Sequence, residues 1–141
     1  MIPSYPASFI NLDLEVHAVF DLTPIADFMI NKTFVLFNGP TDSGFHLSLE
    51  PLIEGALSSD LVECTHHFIA LLMALPPELK VLWRSSNSRV FDYGFEGGVE
   101  CPPLSATLPA DVLSKLALLE ADVNITLYPW HKSASNEQDG A

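Results

Sequence analysis

The chain has 141 residues, of which 48% are hydrophobic, and these values fit one folded domain with a substantial core. Its 18 acidic and 6 basic residues give a formal net charge of −12, which repels phosphate backbones and anionic lipid and so argues against nucleic-acid or membrane binding. Two cysteines do not make a disulfide framework, and no secretion signal is visible at the N-terminus, so we expect a cytoplasmic protein.

Residues 9–20 alternate between apolar and polar side chains, which predicts a strand with one buried and one solvated face. Asp13, Glu15 and His17 fall on the solvated face, because side chains two residues apart on a strand point the same way. Such a polar row is usually the wet side of a sheet, but it also has the composition of a hydrolytic metal site or a binding surface.

A short helix is predicted next, with Thr23 as its N-cap and Pro24 at its first helical position. Residues 33–38 and 45–50 are rich in strand-forming side chains, and the segment 39–44 between them is dense in turn residues. We therefore predict a hairpin with a long loop.

A long helix is predicted over about 59–75, where Ser59 or Asp60 is placed to cap its first turn. Pro76 and Pro77 end this helix, because proline lacks the N–H that a helix interior requires. Its second half is apolar nearly all round, so we expect that half to be deeply buried.

Residues 79–86 and 89–98 are predicted to be two more strands. Residues 110–121 have the apolar spacing of a helix, and residues 122–129 alternate as a final strand. The polar, aperiodic segment 131–141 is predicted to be a flexible tail.

This order of elements predicts a single α+β domain over residues 1–130. An alternating strand with one polar face is typical of antiparallel sheets that are covered on one side only. The expected architecture is a two-layer sandwich, in which a mostly antiparallel sheet of about six strands carries two to three helices on one face.

Three segments carry a resemblance to a known family: DLTPIADFM, HHFIALLMALPPELKVLW and LPADVLSKLALLEADVNITLYP. Their apolar spacings resemble those of a bacterial family catalogued as a domain of unknown function, number 4279, over roughly residues 10–129. Members of that family often have a tryptophan where this chain has Phe45. The resemblance implies a small soluble α+β protein and carries over no catalytic residue.

The long helix contains Cys64, His67 and Glu63, which are residue types that bind zinc and which helical spacing places on one side. A structural zinc site needs about four ligands, and the sequence offers only Cys101 or His46 as a distant fourth. The alternative is an ordinary core helix in which Cys64 packs as a small hydrophobe. We expect this alternative, with no metal and no cofactor.

No local catalytic signature is present in the sequence, so we expect no enzymatic activity. The size and charge favour a small acidic protein-binding domain, most consistent with a bacterial immunity or inhibitor protein that neutralises a basic toxin. The alternatives are a metal-binding domain or enzyme using Cys64, His67 and Glu63, and a subunit or homodimeric module. The residues predicted to contact a basic partner are Asp13, Glu15, His17, Arg84, Arg89, Asp92, Tyr93 and Glu96.

Overall fold

The computed structural model describes residues 3–130, with only the backbone described at Ala56, and the predicted tail at 131–141 lies outside these residues. Within them, five strands and four α-helices follow one another along the chain, with a short 3-10 turn at Gly55–Ser59 before the second helix. The elements are β1 (Ser8–Ala18), α1 (Thr23–Phe28), β2 (Thr33–Thr41), β3 (Gly44–Pro51), α2 (Leu61–Met73), α3 (Pro77–Ser85), β4 (Ser88–Glu96), α4 (Ala110–Leu118) and β5 (Asp122–Tyr128).

The strands form one sheet in the order β2-β3-β1-β4-β5. All neighbouring pairs are antiparallel except β4 and β5, which run parallel because α4 carries the chain back across the sheet between them. The predicted α+β class and mostly antiparallel sheet are confirmed, whereas residues 3–130 contain five strands rather than about six and four α-helices rather than two to three.

The strand predicted over residues 79–86 is wrong, because residues 79–85 belong to helix α3. Pro77 lies in the first turn, where a helix does not need its missing N–H. Leu79 and Trp83, four residues apart, both pack toward the core, whereas Val81 is 61% exposed. A strand would have placed all three on one face, and only helical geometry separates Val81 from the other two.

The hairpin between β2 and β3 is tighter than predicted, because the strands extend into the expected loop over 39–44. Thr41 pairs with Gly44, so only Asp42 and Ser43 remain as the turn. Gly44 has a φ of +145°, and a Cβ there would meet the carbonyl oxygen of Ala18, so no side chain fits this position.

Two predicted helix caps have different outcomes. Asp60 caps α2 through its Oδ1, which accepts hydrogen bonds from the N–H groups of Val62 and Glu63 at 2.9 and 3.1 Å. The prediction of Thr23 as an N-cap is wrong, since α1 already includes it. Instead Oδ1 of Asp21 accepts from both the N–H and the hydroxyl of Thr23, which lowers the pKa of Asp21.

The core lies between the sheet and the helices, and all four helices contribute to it on the same side. It contains buried side chains from β1, β3 and β4 and from each helix: Leu12, Leu14, Val16, Ile25, Leu47, Leu49, Phe68, Leu72, Trp83, Phe91, Tyr93, Val112 and Leu116. Within residues 3–130, the second face of the sheet has no helix over it. Among residues 3–130, no helix is long and apolar enough to cross a membrane.

Candidate functional site

The face of the sheet that points away from the helices, here called the open face, is the candidate site. Alternate residues of β1 turn inward to the core, so the residues between them turn outward. Strand register extends this face across β3, β4 and β5. The open face comprises Asn11, Asp13, Glu15, His17, His46, Ser48, Glu50, Asp92, Gly94, Glu96, Asn124 and Thr126.

Four carboxylates meet at the centre of the open face. Asp13 pairs in register with Asp92 of β4, and Glu15 lies two residues further along the same strand. Glu50 completes the group from β3 on the other side. Burial of Asp13, together with the negative charges of Glu50, Glu15 and Asp92, raises the pKa of Asp13 from 3.8 to about 7.

Neutral side chains hold these carboxylates in place. The amide of Asn11 donates to Oδ1 of Asp13 at 3.2 Å and to Oε1 of Glu50 at 3.0 Å. On the other side, Oδ1 of Asp92 accepts from Asn124 at 3.0 Å and from Thr126 at 2.9 Å. No Lys or Arg within the described part of the chain forms an ion pair with these carboxylates, and the basic group that contacts them is the imidazole of His46, beside Glu15.

A pair of histidines lies beside the carboxylates. His17 and His46 pair across β1 and β3, and their rings stack with centroids 4.2 Å apart and planes 7° apart. Nε2 of His46 is 3.3 Å from Oε2 of Glu15. Burial and the neighbouring His46 lower the pKa of His17, while Glu15 acts in the opposite direction.

Exposed aromatic residues border the open face at both edges of the sheet. On β2, Phe34 pairs with Glu50 and Phe37 pairs with Ser48, so both rings lie on the open-face side. The Phe37 ring is 5.3 Å from that of His46. On β5, Tyr128 is about half exposed. An acidic centre with an aromatic rim is therefore presented to solvent.

Five of the eight residues predicted to contact a partner are brought together on the open face: Asp13, Glu15, His17, Asp92 and Glu96. Tyr93 is not among them, because it points into the core and is 1% exposed. Its hydroxyl is 2.6 Å from that of Thr65, which itself donates to the carbonyl oxygen of Leu61. Burial raises the pKa of Tyr93 to about 12, so it remains a neutral phenol.

The two predicted arginines also lie elsewhere. Arg84 belongs to α3, in the helical layer. Arg89 points to the helical side of β4, where Nε donates to the carbonyl oxygen of Glu120 at 2.9 Å and Nη1 donates to that of Ser86 at 2.7 Å. Arg89 therefore joins the ends of α3 and α4 and does not lie on the open face.

Two other large aromatic residues near these positions in the chain do not flank the acidic face. Trp83 lies in α3 and Phe95 points toward the helices, and both are buried. The flanking rings are Phe34 and Phe37 instead. The alternation of residues 45–50 contained a usable signal for the β3 contribution, since His46, Ser48 and Glu50 must point opposite to Leu47 and Leu49.

Cys64, His67 and Glu63, the residues considered as zinc ligands, do not point toward a common site. Cys64 is buried in the core with Sγ 3.5 Å from the carbonyl oxygen of Ser58, and Nε2 of His67 donates to the carbonyl oxygen of Lys32 at 2.7 Å. Burial, together with Asp60 and Glu63, raises the pKa of Cys64 to about 11, which keeps it a neutral thiol. Among residues 3–130, no three His, Cys, Asp or Glu side chains are placed to hold a metal ion.

Neither suggested fourth ligand approaches Cys64. His46 lies on the open face, with the sheet between it and the core that contains Cys64. Cys101 lies in the loop after β4, against Gly98 and the N-terminal segment at Tyr5. Cys64, His46 and Cys101 therefore lie in different parts of the fold.

Comparison of the chain with protein-family models, with curated proteins and with solved structures finds no match. The resemblance to the bacterial family of unknown function accordingly stays a prediction.

Proposed function

We propose that this is a small acidic binding protein whose open face docks a basic protein partner. The observation that carries this proposal is the group formed by Asp13, Glu15, Glu50 and Asp92. Amide and hydroxyl donors hold Asp13, Glu50 and Asp92, and no lysine or arginine of residues 3–130 forms an ion pair with any of the four. Charge of one sign on a defined surface raises the rate of encounter with a partner of opposite sign and selects against others.

The raised pKa of Asp13 supports a cationic occupant. Burial, together with the crowding of negative charge, raises the pKa of Asp13 and keeps it partly protonated near neutral pH. A Lys or Arg brought against Asp13 and Asp92 would compensate this repulsion and favour the ionised form. Docking therefore releases a proton in the neutral range, and affinity is expected to rise with pH until Asp13 is fully ionised.

The aromatic rim supports a protein as the occupant rather than a small cation. Phe34, Phe37 and Tyr128 provide exposed rings on either side of the carboxylates. Protein interfaces are enriched in aromatic residues, which offer large contact areas at a small cost in side-chain entropy. Carboxylates at the centre then set the orientation of the partner, and the rings contribute contact area.

The class of binding protein that best fits is a bacterial immunity or inhibitor protein that neutralises a basic toxin in the cytoplasm. A toxin that cleaves nucleic acid needs a cationic surface for the phosphate backbone. An acidic sheet face matches such a surface and blocks it by occupying it. In this role the protein acts by binding and has no catalytic activity of its own.

The test is affinity capture from the native host with the purified full chain, at about 50 mM and about 500 mM salt. The face variant replaces Glu50 and Asp92 with Gln and Asn. The control variant, Glu63→Gln with Glu78→Gln, makes the same change in charge on exposed positions of the helical layer. We expect the wild type and the control to retain a basic partner at low salt, and the face variant to lose it.

Titration of the recovered partner by calorimetry then measures the loss, which we expect to be at least about tenfold for the face variant. If the partner is an enzyme, an equimolar amount of the protein should abolish its activity. Recovery of no partner, equal recovery by the face variant, or equal affinity at both salt concentrations would overturn the proposal.

A further inference from the structure

We propose that β2 is a dimerisation edge, which pairs antiparallel with β2 of a second copy of this chain. This inference does not depend on the carboxylates of the open face, because it concerns the edge strand β2, although the rings of Phe34 and Phe37 belong to both surfaces. β2 is the terminal strand of the sheet, next to β3 only. A terminal strand leaves a row of backbone N–H and C=O groups without partners in the sheet.

Four consecutive apolar side chains are exposed on this edge. Phe34, Val35, Leu36 and Phe37 are between 44% and 55% exposed. The register places Phe34 and Phe37 on the open-face side and Val35 on the helical side, while Leu36 is the extra residue of a bulge. Apolar groups thus project on both sides of the strand, so a second strand would bury contacts above and below the shared backbone.

The distribution of charge permits a second copy of this chain to bind at β2. A chain with a net charge of −12 repels its own copies over most of its surface. β2 contains none of the 18 acidic residues, so the repulsion is weakest where the exposed apolar side chains are concentrated. A strand that pairs antiparallel with itself across a two-fold axis is self-complementary, as a closed dimer requires.

The available area fits a dimer. Phe28 and Ile30, just before β2, are also about half exposed. If each large apolar side chain offers about 150–200 Å² when fully exposed, these six expose roughly 500 Å² per copy. If all of this surface is covered, two copies bury at most about 1,000 Å² from these side chains, which reaches the lower limit for a specific interface.

The opposite edge of the sheet is less suited to the same role. On β5, Val123, Ile125 and Leu127 are exposed on the helical side only, and Asn124 and Thr126 are bonded to Asp92 on the other side. β5 also begins with an acidic residue, Asp122. This edge nevertheless supplies a matched control, because Ile125 and Leu127 are more exposed than any of the four consecutive apolar residues of β2.

The test is analytical ultracentrifugation of the full chain over about 1–100 μM at two salt concentrations. We expect a dimer that dissociates on dilution and that strengthens at high salt, because salt screens the repulsion between two acidic copies. This salt dependence is opposite in sign to that expected for a basic partner, so failure of one proposal is distinguishable from failure of the other.

The edge variant is Val35→Asp with Leu36→Asp, and the control is Ile125→Asp with Leu127→Asp. Each adds two negative charges to one edge. We expect the edge variant to be monomeric at about 100 μM and the control to dimerise like the wild type, with circular dichroism verifying the fold of both. Should the double variant fail to fold, Leu36→Asp alone, at the unpaired bulge position, replaces it. A wild type that is monomeric throughout, or an edge variant that still dimerises, overturns the proposal.

Discussion

Asp13 of β1 stands directly opposite Asp92 of β4, so two carboxylates face each other across the middle of the sheet. Like charges in directly opposed positions destabilise a sheet. Glu15 and Glu50 add to this repulsion instead of relieving it. Departures from local rules of stability are expected at functional sites, which supports the open face as the part of this protein on which function depends.

Replacement of Asp13 with Asn should raise stability in a pH-dependent way. In the folded state the pKa of Asp13 is about 7 against an ordinary value of 3.8, so between these values the folded protein retains a proton that the unfolded chain loses. The free energy of unfolding therefore falls as pH rises through this window. We expect Asp13→Asn to be more stable by about 1–2 kcal/mol at pH 8, after allowance for solvent screening, and nearly neutral at pH 4.

Urea unfolding at the two pH values measures this difference, with Asp42→Asn in the exposed hairpin turn as the control. An equal gain at pH 8 and pH 4 would show that Asp13 acts through packing and not through its charge.

Replacement of Arg89 with Lys should destabilise the fold even though it preserves the charge. The guanidinium donates to the carbonyl oxygens of Glu120 and Ser86 at once, and a single ammonium cannot span both. We expect a loss of about 1–3 kcal/mol in the free energy of unfolding. Arg84→Lys, on the exposed side of α3, is the control and should change it little. Equal effects of the two substitutions would argue against the structural role of Arg89.

The two cysteines should differ in their reactivity toward a thiol reagent. Cys64 is 1% exposed and its pKa is about 11, whereas Cys101 is partly accessible. In the folded protein we expect one fast-reacting thiol, which disappears in Cys101→Ser and persists in Cys64→Ser. Both thiols should react in denaturant. Fast labelling of Cys64 in the native state would contradict its position in the core.

Replacement of Tyr93 with Phe should lower stability by about 0.5–1.5 kcal/mol, the usual value of one hydrogen bond. The phenol is buried against the hydroxyl of Thr65, so its removal leaves that hydroxyl with one partner fewer. Tyr128→Phe, at a half-exposed position, serves as the control. A double-mutant cycle with Thr65→Val isolates the pair, and a coupling energy near zero would be inconsistent with the contact.

Several features of the fold follow from the sequence alone. The alternation in residues 9–20 predicted both faces of β1, and Asp60 was one of two caps proposed for α2. Helical spacing also located α4 correctly. These signals are local, because they depend on the period of a strand or on the first turn of a helix.

The set of residues that forms the open face is determined by the pairing of strands that are distant in the sequence. Asp13 and Asp92 meet only because of the register between β1 and β4, which no local pattern specifies. The prediction that Tyr93 lies on the surface beside Asp92 is wrong, because adjacent residues of a strand point to opposite faces. Helix α3 was missed because its apolar residues also alternate over a short span, and the choice between helix and strand depended on the packing of Trp83.

The position of β1 at the centre of the sheet has a consequence for synthesis of the chain. β1 is synthesised before the other four strands described, yet one of its two neighbours is β4, which follows α2 and α3 in the chain. β3, the other neighbour of β1, is synthesised earlier, before α2. The nascent protein therefore holds a three-stranded sheet whose β1 edge stays unpaired until β4 arrives, and during that interval this edge is open to other chains.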